Sequence, residues 1–126
     1  AAFYVNFAEH PARMTIPVEM AVRQWRPSYH RGFIMQASLA VIGGLCALWQ
    51  WHVSGGAAWL AGGLLLLANW PFTLLVIMPV NHRLHAPGSE MGPEASGLLR
   101  RWNRLHAVRT ILGLLATGML LTAALG

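Results

Sequence analysis

The sequence predicts an all-α integral membrane protein, an up-down four-helix bundle whose first helix is largely missing from this chain. Three observations predict it. Of 126 residues, 56% are hydrophobic and only 10% are charged, against about 25% charged in ordinary soluble domains. Apolar runs recur at spanning length. Phe33 to Val53 is broken only by Gln36, Ser38, Gln50 and His52, Ala57 to Val80 only by Asn69 and Thr73, and Thr110 to Leu125 carries no charge; about 20 helical residues cross a bilayer. Finally, all nine basic residues are arginine, at 13, 23, 26, 31, 83, 100, 101, 104 and 109, with none beside Ser54-Gly55-Gly56 or near the C-terminus. Alternating helices place both arginine-bearing segments on one side of the membrane, and the positive-inside rule makes that side cytoplasmic. The chain therefore reads as one domain, residues 1–126, in a lipid bilayer, with a bacterial inner membrane as the expected location. Its high pI reports topology. No nucleic-acid partner is expected, because the arginines are not interleaved with a soluble reading surface.

The first span is partial, about 1–10. "AAFYVNFA" is apolar except for Asn6, but eight residues cannot cross a bilayer, so the numbering is expected to begin inside that helix. Pro11 ends it, because proline disfavours helix in the residue before it. Asn6, Glu9, His10 and Arg13 share one helical face at regular α spacing. Pro17 suits the first turn of a short interfacial helix, with Val18, Ala21, Val22 and Trp25 on its apolar side and Pro27 as its stop.

The second span, 33–53, carries Gly43-Gly44, and the third, 57–80, carries Gly62-Gly63. Small residues let helices approach closely in lipid. Pro71 frees the Leu67 carbonyl, which Asn69 is placed to satisfy unless it bonds a neighbouring helix. Pro79 marks a second weakening. Residues 86–97 form a loop, Pro93-Glu94 starts the last helix, and its span covers 105–125. Cys46, the only cysteine, can make no internal disulfide and reads as apolar packing.

Four helix ends meet at the arginine-rich side, and they carry five of the six histidines: His10, His30, His82, His85 and His106. Trp102, His106 and Arg109 fall at i, i+4 and i+7 on one face. A charge at the bilayer centre costs about 2.5–3.5 kcal/mol on insertion scales. Arg109 therefore calls for a counter-charge, and Glu9 is the expected partner. Arg31, Arg83, Arg100, Arg101 and Arg104 read as topology signals, and His30, His82 and His85 as interface anchors. Asn6, Glu9, His10, His106 and Arg109 are the functional candidates, since ionisable groups facing a bundle interior mark sites by default. The competing reading makes them a lock that fixes helix register.

The stretches "YVNFAEHPARM", "QWRPSYHRGFIMQA", "PVNHRL" and "RWNRLHAVRT" resemble, in order, the anthrone-oxygenase-like family of small four-helix membrane proteins, known in bacteria largely as a domain of unknown function. The resemblance implies oxidation of an aromatic, polyketide- or quinol-like substrate by O2, with no tightly bound cofactor required. Under it, His10 or His106 is the base and Glu9 orients the histidine. Arg109, with Asn6 or Asn81, stabilises the oxyanion, and Trp102, Trp70 or Tyr4 stacks on the flat substrate. Two alternatives stay open. Glu9, His10, His82 and His106 offer ligands for iron, copper or haem, though neither HExxH nor CxxC occurs. A non-catalytic subunit of a homo-oligomer or larger membrane complex would use the same cluster only for packing.

Overall fold

The computed structural model describes residues 1–126 and contains only helices. Residues 2–13 form α1, and α2 (Val18–Ser54), α3 (Ala57–His85) and α4 (Ala95–Leu125) are each long and apolar enough to cross a membrane. The 37 residues of α2 run to about 55 Å at 1.5 Å per residue, well beyond a hydrocarbon core of about 30 Å. Its first turns, like those of α4, therefore belong to the arginine-rich end. There they meet the end of α3 around a buried core of Val22, Trp25, Ile77, Leu84, Leu99 and Trp102.

Glycine sets the helix spacing at two points. A Cβ on Gly44 would stand 2.7 Å from Leu67 Cγ, and one on Gly62 would stand 2.6 Å from Leu120 Cδ2. The α2–α3 turn needs Gly55 and Gly56, which adopt φ of 72° and 93°. That region disfavours side chains with a Cβ.

The structure corrects three expectations about the helices. Pro27 does not stop a short interfacial helix; it lies inside α2. The proline leaves the Arg23 carbonyl without its helical donor, and Arg23 is exposed, so water takes the group at little cost. Pro11 does not end the first helix, which stays helical through Arg13: the proline stands in the first turn of the segment His10–Arg13, where its missing N–H costs little. Asn69 does not serve Leu67: its Nδ2 donates to the Leu66 and Leu65 carbonyls, at 3.1 and 3.4 Å. Helical side chains lean back toward the N-terminus, so the reachable carbonyls are three and four residues back, not two. A π-turn at Thr73–Ile77 lies between Pro71 and Pro79 and absorbs the disturbed ladder.

Arg26 closes the end of α3. It donates to the Leu84 and Ala86 carbonyls at 3.0 and 3.1 Å and to Glu90 at 2.8 Å, satisfying groups that a helix end leaves open. The Glu90 carboxyl is held below the usual carboxylate range, first by a hydrogen bond from its own backbone N–H and then by Arg26.

Candidate functional site

A π-turn, Val5–Glu9, interrupts α1. Its wider winding breaks the single polar face that α spacing predicts, and the four residues divide into two groups. Asn6 turns to α4. Its Nδ2 donates to the Asn103 backbone carbonyl at 3.0 Å and to Asn103 Oδ1 at 2.6 Å. Since a carbonyl only accepts, the amide orientation is fixed and Asn6 Oδ1 must be an acceptor. Thr110 Oγ1 donates to it at 2.6 Å, and His106 Nδ1 lies 3.0 Å away. His106 Nδ1 therefore carries the proton. In the neutral ring Nε2 is then the unprotonated nitrogen, and no protein group bonds to it.

Glu9 turns instead to α2 and does not pair with Arg109. Arg13 Nη2 lies 2.5 Å from its carboxylate, and the Ser28 hydroxyl also donates to it. Arg13 Nε donates to Gln24 at 2.5 Å. The i, i+4 partner on the same helix wins because its approach is fixed by the turn, whereas Arg109 lies across the bundle on α4. The Arg13 side chain is 1% exposed, so removing its counter-charge would strand a buried cation. Glu9→Gln should cost about 3–5 kcal/mol of stability, measured as a lowered thermal unfolding midpoint in detergent.

Between α1, α2 and α4 lies a cavity of about 410 Å³, lined by Tyr4, Glu9, Arg13, Tyr29, Phe33, Gln36, Trp102, His106 and Arg109 among others. Its volume suits a small organic ligand. Glu9 is the only carboxylate on its wall, and Arg13 holds it. Arg109 is 7% exposed, forms no ion pair among those in the structure, and leaves its Nε without an acceptor. The site therefore presents an uncompensated guanidinium beside a histidine of fixed tautomer. Trp102 stacks on His106 with ring centroids 4.9 Å apart and lies under the Arg13 guanidinium at 5.9 Å.

The other expected residues fall outside the cavity wall. His10 is buried with its Nδ1 unpartnered, 6.4 Å from Trp102 between ring centroids. Trp70 packs edge-on against Phe33 at 5.9 Å, behind the wall. Asn6 is saturated by its own bonds. Asn81 is 1% exposed and donates from Nδ2 to the Tyr29 hydroxyl at 2.7 Å. His82 is exposed on α3, and Glu9, His10, His82 and His106 do not gather: no three His, Cys, Asp or Glu side chains come together as potential metal ligands.

Sequence reasoning passed over Tyr29, Ser28, Gln24, Thr110 and Asn103 as site residues. The signal for Tyr29 was present: Tyr29, Phe33 and Gln36 repeat the i, i+4, i+7 spacing of Trp102, His106 and Arg109, and both triplets line the cavity.

Comparison with known proteins converges on one group. The model of the family described as anthrone oxygenase matches residues 25–119. An anthrone oxygenase from Claviceps purpurea is 32% identical over 104 residues, covering 72% of this chain and 60% of that protein. The chain thus spans less than two thirds of that relative's length. An anthrone oxygenase from Pestalotiopsis fici is 29% identical over 129 residues, covering 86% of this chain and 87% of its own. No solved structure matches.

Proposed function

Because the chain belongs to the anthrone oxygenase family, we propose that it oxidises an anthrone-type hydroxyaromatic with O2 in the cavity between α1, α2 and α4, with His106 as the base. The observation that carries this reading is one cavity holding both an imidazole whose Nδ1 faces the Asn6 acceptor, leaving Nε2 free of protein partners, and a buried arginine outside every ion pair.

An anthrone has an acidic CH2 opposite its ketone. His106 Nε2 takes one of those protons, and the charge moves to the ketone oxygen, where Arg109 meets it. Preorganised charge acts most strongly where water is excluded. The carbanion then passes an electron to O2, and the two radicals combine in a C–O bond. Returning the His106 proton to the outer oxygen gives a hydroperoxide. Loss of the remaining C–H proton with O–O cleavage leaves the second ketone and one water. The sum is anthrone plus O2 to anthraquinone plus H2O, so the substrate supplies every electron. Trp102, held between His106 and Arg13, offers a flat apolar wall for the ring system.

The test uses detergent-solubilised protein, an anthrone and an oxygen electrode. One O2 should disappear per anthraquinone formed, with no hydrogen peroxide accumulating. A rate equal to protein-free autoxidation would end this reading.

A further inference from the structure

Resting on that reading, we propose that Tyr29 is the second donor of the oxyanion site and that Asn81 is the positioning residue that aims it. The site takes the anionic form of a hydroxyaromatic: one cation and one neutral O–H converge on its oxygen.

Asn6 and Asn81, the amides that the sequence suggested for this role, have no free donor on the cavity. Asn6 spends its Nδ2 on Asn103, and Asn81 is not on the cavity wall. Tyr29 is on that wall with Arg109. Its hydroxyl oxygen accepts the Asn81 N–H at 2.7 Å. A phenol that accepts this bond keeps its own proton, and no acceptor in the protein receives it.

Packing holds the ring, and with it the hydroxyl oxygen, in place. The ring stacks on Trp25 with centroids 4.9 Å apart and planes 17° apart, and stands edge-on to His85 at 5.6 Å and to Trp102 at 6.4 Å. Trp25 is fully buried, so this packing lies in the rigid core of the arginine-rich end. Accepting from Asn81 polarises the Tyr29 O–H and so strengthens it as a donor, while burial pushes the phenol's pKa up and keeps it protonated. Groups locked by packing and by a supporting hydrogen bond are the ones that hold a productive geometry.

The experiment has a binding arm and a turnover arm. The probe is 2-naphthol, whose two protonation states absorb differently. Wild-type protein should favour the bound naphtholate and lower the apparent ionisation pH of the bound probe. Tyr29→Phe keeps the ring packing and loses one donor, so the preference for naphtholate should fall about tenfold and kcat/KM on an anthrone about 10²–10³-fold. Asn81→Leu should move the probe's ionisation in the same direction by less. Unchanged naphthol ionisation in Tyr29→Phe would overturn the proposal, as would unchanged kcat/KM where wild-type protein turns over. Naphtholate binding that depends on Tyr29, in a protein that does not oxidise anthrones, would support the donor pair while removing the oxygenase reading.

Discussion

His106→Gln should abolish exchange of the substrate's acidic C–H with deuterium in the absence of oxygen, and lower oxygen uptake by about 10²–10⁴-fold, the usual contribution of a positioned base. Glutamine is the informative replacement because its amide N–H can still donate to Asn6 Oδ1, which now receives His106 Nδ1 at 3.0 Å and Thr110 at 2.6 Å. The lock between α1 and α4 is thereby kept while the basic nitrogen is lost. Working without oxygen isolates the proton transfer from every later step. Wild-type protein should wash deuterium into the CH2 of an anthrone under argon; the variant should not. His10→Gln is the internal control. His10 is buried but does not line the cavity, so its exchange rate should match wild type. Exchange that survives His106→Gln, or vanishes only in the His10 variant, would move the base elsewhere.

The sequence was most legible where one physical rule acts alone. Helix number and order followed from apolar run length, and the face carrying Trp102, His106 and Arg109 followed from α periodicity, which α4 keeps without interruption from Ala95 to Leu125. It was least legible where two local rules compete. Pro27 ends a helix by propensity, yet its lost hydrogen bond falls on an exposed turn where water compensates. Glu9 had two arginines in prospect, one a turn away and one across the bundle. The choice depended on a π-turn in α1 that no hydrophobic pattern announces. The same π-turn sends Asn6 to α4 while Glu9 and Arg13 go to α2, so a single polar stripe divides: Asn6 holds His106 from behind, and Glu9 and Arg13 line the cavity. Tyr29 escaped for a different reason. Near a membrane interface a tyrosine is expected as an anchor, and only its bond from Asn81 and its place on the cavity wall mark it as more.

Replacing Arg109 should separate a working site from a packing lock. A lock predicts that the residue stabilises the bundle. The geometry predicts the reverse, because Arg109 is 7% exposed, has no carboxylate partner and leaves Nε without an acceptor. Replacing buried ionic groups by apolar residues of similar volume is often neutral or stabilising by about 1–4 kcal/mol. Methionine matches the unbranched stem of arginine and carries no charge to desolvate. Arg109→Met should therefore unfold in detergent at the same temperature as wild type or a higher one, while kcat/KM on an anthrone falls about 10²–10³-fold. A charge kept in an oily wall at the expense of stability is what a site that must receive a developing anion requires, and such trade-offs are the usual signature of function. Should Arg109→Met instead lower the unfolding midpoint sharply and leave turnover intact, the guanidinium would be holding helices together, and the anion it is assigned here would have no receiver.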